Sequence, residues 1–219
     1  MPASQHDLEH IEKAVNPLAL ARWMDERGLP GAGSPVEASF ISGGASNEIF
    51  LVERGGERLV MRRPPLKVPS GRNETMLREY RVLEALRDTD VPHSRVLAAC
   101  EDTGLVGACF YLMEHVDGWS CMNLDGWPEP FDEDLVVRRS LAWELVDAIA
   151  RLSRVDWEAN GLEGFGRPDG FHERQVPRWT AHLDSFKFRE LPGLDEAAGW
   201  LSEHAPLAYR PGIMHGDYQ

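Results

Sequence analysis

His215, Gly216 and Asp217 follow the apolar pair Ile213-Met214 near the end of the sequence. A carboxylate one step after a glycine, presented at the end of a short strand, can take a proton from an attacking hydroxyl, which is general-base chemistry in group transfer. Asp217 is the expected base, with His215 beside it in the catalytic set. Gly-Asp also makes ordinary turns, so the three residues gain meaning only if a binding site for the transferred group exists upstream.

Such a site needs a place for anionic oxygens. Phe40-Ile41-Ser42 and Ile49-Phe50-Leu51-Val52 flank the small-residue run Gly43-Gly44-Ala45-Ser46-Asn47. The pattern predicts strand, turn, strand. Backbone N–H groups of Gly43 and Gly44 can approach phosphate oxygens with no side chain in the way, and Ser46 and Asn47 add donors. The run matches neither common glycine-rich phosphate motif, and a plain hairpin turn reads equally well. Gly55-Gly56 between Leu51–Arg54 and Glu57–Arg62 predicts a tight hairpin. Alternation places Leu59 and Met61 on one face of the second strand and Val60 and Arg62 on the other, before Pro64-Pro65 end it.

A helix is expected over Asn73–Arg87. With about 100° per residue and Leu77 at zero, Glu79 falls near 200°, between Leu86 near 180° and Leu83 near 240°. A carboxylate inside an apolar stripe needs a partner when the stripe is buried, and Arg62 on the adjoining sheet is the candidate. Local pairing of Glu79 with Arg78 or Arg81 at a solvent margin is the alternative. Val96–Cys100 and Ala108–Met113 predict two more strands around the turn at Glu101–Gly104, the second running into Glu114-His115-Val116, a segment whose backbone suits an adenine edge.

The positioning elements extend to both sides of this region. Residues Asp7–Arg27 carry apolar side chains at helical intervals, closed by Gly28 and Pro30. Past a Trp/Pro/Asp-rich join at Trp119–Asp132, Glu133–Val155 reads as a long core helix with Leu141, Leu145, Ile149 and Leu152 in one stripe. Pro177–Phe188 and Leu194–His204 read as two more helices, with Trp179 and Trp200 as core anchors. The glycine-rich Gly161–Gly170 lacks a strand before it and is read as a loop.

The 219 residues are 42% hydrophobic and 27% charged, ordinary for a globular chain able to build one sizeable core or two modest lobes. A formal net charge of −13 argues against nucleic acid or anionic membrane as partner. No signal-peptide pattern or 18-residue apolar run is present, so no membrane partner and a cytoplasmic location are expected. Cys100, Cys109 and Cys121 have no metal-ligand spacing and read as reduced thiols. No metal ligand is assigned, and oligomeric state is not legible.

The order of these parts resembles the protein-kinase-like fold, and the His-Gly-Asp version resembles the aminoglycoside phosphotransferase family. Gly43–Asn47, Val60–Pro65, Arg78–Val82, Phe110–Glu114 and Phe171–Gln175 are similar to the phosphotransferase domain attached to acyl-CoA dehydrogenase family members ten and eleven. The resemblance runs from about residue 36 to the end. It implies an α+β, two-lobed fold with an antiparallel sheet plus helix in the N-lobe and a helical, incomplete C-lobe. The expected division is 1–35 as helix and connector, 36–118 as N-lobe and 119–219 as partial C-lobe.

The resemblance further implies ATP and Mg²⁺, with phosphoryl transfer to a small-molecule hydroxyl. Gly43, Gly44, Ser46 and Asn47 would cover the phosphates, Arg62 would contact them beside Val60, Glu79 would orient Arg62, and Glu114 and Val116 would supply the hinge. The subgroup implies a hydroxyacyl-CoA acceptor; basic residues such as Arg167, Arg174 and Arg178 cluster in the helical part of the sequence and could meet the CoA phosphates. An antibiotic kinase and a nucleotide-binding pseudokinase are the competing functions. Arg62 stands where the family usually has Lys; its guanidinium still suits phosphate. The family's metal-binding Asn and second Asp do not occur after Asp217, so on this resemblance the chain is expected to be a fragment or a poor catalyst.

Overall fold

The computed structural model describes residues 5–43, 47–68, 70–119 and 126–218. The chain divides into two compact units, Met1–Arg151 and Leu152–Tyr218. Its elements in order are α1 (Gln5–Val15), α2 (Pro17–Glu26), β1 (Glu37–Gly43), β2 (Glu48–Arg54), β3 (Glu57–Arg63), α3 (Arg72–Ala85), β4 (Val96–Cys100), β5 (Phe110–Glu114), α4 (Leu135–Arg154), α5 (Phe171–Asp184) and α6 (Leu194–Glu203). The fold is α+β, as expected. Among the described residues, no helix is long and apolar enough to cross a membrane.

The first unit is built on a five-stranded antiparallel sheet in the order β1-β2-β3-β5-β4. Gly55 and Gly56 make the β2–β3 turn at φ 59° and 85°, the left-handed pair that a two-residue hairpin of matching twist requires. Strand alternation then sorts the side chains onto two faces. Phe50, Val52, Leu59, Met61, Phe110 and Leu112 pack with Trp23, Leu20 and Val15 of α1 and α2 into the main core. Tyr111 and Val96 turn the other way and pack with Met76 of α3, with Tyr80, Leu83 and Met113 around them.

The same alternation separates two adjacent arginines. Arg62 lies on the α3 face, whereas Arg63 is buried toward α1, where Nη1 donates to the Ala14 carbonyl at 2.5 Å and Nε to the Pro64 carbonyl at 2.8 Å. Burial lowers the Arg63 pKa, and the neighbouring Glu48 partly offsets this. Glu48 Oε1 sits 3.2 Å from His10 Nε2. Arg54 is likewise fully buried, and its Nη2 donates to Asp25 Oδ1 at 2.7 Å. These contacts tie both N-terminal helices to β2 and β3.

Four expectations are corrected. The single helix over Asp7–Arg27 is two, broken at Asn16, which takes φ 47° and caps α2 by accepting from the Ala19 N–H at 3.3 Å. Pro17 at the first helical position and Asn before it are start signals that override the continuous apolar periodicity. The helix expected from Pro177 begins at Phe171, so Pro177 lies inside α5. Of the α4 stripe only Leu152 is buried, and Leu145 is 43% exposed. Trp179 and Trp200, expected in the core, are 57% and 58% exposed. Periodicity reports which side chains share a face, not whether that face is covered. Both tryptophans instead contact their own helices: Trp179 Nε1 donates to Gln175 at 3.2 Å, and Trp200 stacks on His204 with centroids 4.2 Å apart.

Candidate functional site

The sheet face toward α3 carries the first group. Arg62 on β3 pairs in register with Tyr111 on β5 and Ile49 on β2. Arg62 Nε donates to Glu79 Oε2 at 2.9 Å, so the expected sheet-to-helix pair is present. The side chains are 27% and 32% exposed, a partly open pair rather than a sealed one. Tyr111 OH donates to the same Oε2 at 3.4 Å. Burial raises the Tyr111 pKa above its usual value, Glu79 adds to the rise and Arg62 opposes it, so the hydroxyl stays protonated and remains a donor. Glu79 thus fixes a partly exposed cationic fork on the α3 side of the sheet, an arrangement suited to phosphate oxygens.

Val60, paired with Leu51 and Met113, is buried on this face beside Arg62. Ile49, Leu51 and Met113 share it and were missed from sequence, although the alternation that placed Val60 places them too. Gly43 ends β1 opposite Glu48, and Asn47 precedes β2. Gly44 and Ser46 lie outside the described residues.

The hinge segment begins where β5 ends, at Glu114. Glu114 is turned back to Arg95, accepting from its N–H on Oε1 at 2.9 Å and donating its own N–H to the Arg95 carbonyl at 2.8 Å. Its side chain therefore anchors the strand end, leaving nucleotide contact to backbone. Val116 is 60% exposed. Arg58 of β3 reaches across to Asp117 Oδ1 at 3.0 Å and His115 Nε2 at 3.1 Å, a clamp on the hinge that nothing in the local sequence announced. Only the parity of Arg58 with Val60 and Arg62 pointed to this face.

In the second unit, residues 205–218 form no strand among the described residues, which corrects the expected strand before His215. Two apolar residues between Pro211-Gly212 and His215-Gly216 are too few to pair. The Asp217 N–H donates to His215 Nδ1 at 3.2 Å, which leaves the proton of a neutral ring on Nε2. The His215 ring meets Tyr218 edge-on, with centroids 5.2 Å apart. Asp217 is exposed, so its carboxylate is accessible to a reacting hydroxyl.

Among the described residues, no cluster of three or more His, Cys, Asp or Glu side chains could hold a metal ion. Cys100 and Cys109 are buried free thiols with pKa values raised mainly by burial, as expected for core cysteines; Cys121 lies outside the described residues.

A sequence profile of the phosphotransferase enzyme family matches residues 37–219. Acyl-CoA dehydrogenase family member 11 of Gallus gallus is 30% identical over 179 residues, covering 81% of this chain and 22% of its own. Acyl-CoA dehydrogenase family member 10 of Mus musculus is 29% identical over 197 residues, covering 88% of this chain and 18% of its own. The chain thus spans about a fifth of the length of these relatives. A crystal structure from Ralstonia eutropha JMP134, described as a candidate aminoglycoside phosphotransferase, matches with a TM-score of 0.75 at 32% identity over 92% of this chain and 57% of that one.

Proposed function

The chain belongs to the phosphotransferase enzyme family, and from that premise we propose that it is part of a cytoplasmic, ATP-dependent kinase that phosphorylates the hydroxyl of a small molecule, a hydroxyacyl-CoA. The observation that carries the nucleotide assignment is the Arg62–Glu79–Tyr111 group, an oriented guanidinium on the sheet face beside the β1–β2 hairpin. That group fits a polyphosphate: a fixed fork, a supporting carboxylate and an apolar floor at Val60.

ATP supplies the phosphoryl group when bound. Arg62 holds phosphate oxygens, Glu79 keeps Arg62 in place, and Tyr111 keeps Glu79 in place. Gly43 and Asn47 flank the loop that would cover the phosphates, together with Gly44 and Ser46. The Glu114–Val116 backbone would meet the base, steadied by Arg58. Asp217 accepts the proton of the acceptor hydroxyl, and His215 fixes the turn that presents it. Among the described residues no cluster of three or more His, Cys, Asp or Glu side chains matches Mg²⁺.

The hydroxyacyl-CoA acceptor is supported by the dehydrogenase-linked relatives. An aminoglycoside acceptor is favoured by the description of the Ralstonia neighbour and by the charge of −13, which suits a polycation. Net charge governs steering, whereas acceptor choice is set by pocket residues, so the first reading is preferred. The test offers the full-length protein, of which this chain is part, ATP and Mg²⁺ with either 4-hydroxyacyl-CoA or kanamycin and follows ADP release. Turnover with the thioester is expected. Turnover with kanamycin alone would replace the acceptor, and failure to bind ATP by calorimetry would remove the kinase reading.

A further inference from the structure

We propose that the cavity formed by the first turns of α5 and the loop before it is an anion subsite that receives the phosphorylated handle of the acceptor. This rests on the phosphotransferase reading but uses none of the nucleotide residues. The cavity has a volume of about 590 Å³ and brings together Arg167, Arg174 and Arg178 with Phe171, Pro177 and one carboxylate, Glu173. That volume suits a small-molecule ligand.

The three arginines differ in what they do. Arg174 is the brace: it donates to the Asp169 carbonyl and, at 2.6 Å, to the Arg167 carbonyl, holding the loop against α5. Tyr209 fixes the same loop from the other end, donating to the Pro168 carbonyl at 2.5 Å and accepting from the Phe171 N–H at 3.4 Å. The wall is therefore preorganised. Arg167 and Arg178 have no carboxylate within ion-pair distance among the described residues; Arg178 lies over the Trp179 ring, 5.5 Å from its centroid.

A chain of net charge −13 thus gathers at one concavity two guanidiniums that have no carboxylate partner among the described residues, together with the cationic brace. Positive charge gathered in a concave surface focuses its field on an entering anion, and planar guanidinium forks match phosphate oxygens two at a time. Phe171 and Pro177 add apolar wall for the part of the ligand that carries the phosphates. The ligand class is a small molecule with a di- or multiphosphate handle. Arg62 already serves the nucleotide, so the second cationic group is assigned to the acceptor.

Calorimetry separates the sources. The protein is titrated with coenzyme A, with phosphate-free pantetheine and with ADP, as wild type, as Arg167→Gln/Arg178→Gln and as Glu173→Gln. Coenzyme A should bind the wild type and pantetheine should not. The double variant should weaken coenzyme A at least about tenfold without changing ADP affinity, and Glu173→Gln, which keeps both arginines, should tighten it. Unchanged coenzyme A affinity in a folded double variant, no binding to the wild type, or no gain in Glu173→Gln overturns the subsite. Loss of ADP affinity in the double variant would give the cavity to the nucleotide instead. Absence of ADP binding in every form, with coenzyme A behaving as stated, would count against the kinase reading and leave the subsite standing.

Discussion

Tyr111 and Arg62 stand opposite each other on one rung of the β3–β5 ladder and aim at the same oxygen, Glu79 Oε2, from 3.4 and 2.9 Å. One strand pair therefore supplies both donors, and α3 supplies the single acceptor that joins them. Glu79 is the hub: its loss takes a partner from two side chains, whereas loss of either donor leaves the other in place.

Glu79→Ala is accordingly expected to cost more than Tyr111→Phe. Hydrogen bonds to charged groups contribute about 1.5–3 kcal/mol, and because roughly a third of this pair is open to water the lower part of that range, about 1.5 kcal/mol, is expected for Glu79→Ala. Nucleotide affinity should fall as well, since Arg62 loses its orientation. Urea unfolding and ATP titration of the same variant check both effects. An unchanged unfolding midpoint would mean that the pair contributes nothing to stability.

Tyr111→Phe removes one long hydrogen bond and should cost about 0.5–1 kcal/mol at neutral pH. Its sharper signature is alkaline. The ordinary tyrosine value is 10.0, and the folded protein holds Tyr111 above it, so the unfolded chain ionises first. The stability from a protonated Tyr111 is complete below about pH 10 and is lost as pH rises from there toward the folded value. Wild-type stability should fall over that window more steeply than that of Tyr111→Phe, as thermal melts at pH 9 and pH 11 would show. Parallel slopes would remove Tyr111 from the account.

The Arg62–Glu79 pair was legible because both signals were local: strand parity for Arg62, and a carboxylate inside an apolar helical stripe for Glu79. Tyr111 was not, since its part depends on β5 lying beside β3, although β4 intervenes between them in sequence. The Arg58 clamp on His115 and Asp117 failed to show for the same reason, with 57 and 59 residues separating the partners. Trp179, Trp200 and the α4 stripe were misjudged in the opposite direction, because a periodic apolar face says nothing about what covers it. Asn16 and Pro17 did carry the signal for a helix break, but a continuous apolar spacing outweighed it.

Arg63 gives a stability prediction independent of function. Its guanidinium is fully buried, and Arg63 Nη2 and Glu48 Oε2 have no hydrogen-bond partner among the described residues. The carboxylate of Glu48, 4.0 Å away, is the charge that compensates it. Glu48→Ala should leave Arg63 a buried uncompensated cation and destabilise by about 3 kcal/mol. Glu48→Gln keeps the shape and one acceptor oxygen while removing the charge, so it tests the electrostatic part against packing. Equal melting temperatures for the wild type and Glu48→Gln would show that charge compensation is not what Glu48 provides.

Asp217 and His215 divide the proposed chemistry unequally. Asp217 is exposed and carries the carboxylate assigned to the acceptor proton, while His215 accepts the Asp217 N–H and so shapes the turn rather than meeting substrate. Asp217→Asn keeps size and backbone but cannot take a proton. In the ATP and hydroxyacyl-CoA assay it should lower kcat by about 10²–10⁴, the usual contribution of a general base, with ATP affinity within twofold of wild type. His215→Ala should act indirectly through a looser turn, with a loss of about tenfold or less, partly restored by His215→Asn, whose side-chain oxygen can accept the same N–H. Turnover by Asp217→Asn within tenfold of wild type would take the base role from Asp217. A larger loss in His215→Ala than in Asp217→Asn would move His215 from positioning to direct participation.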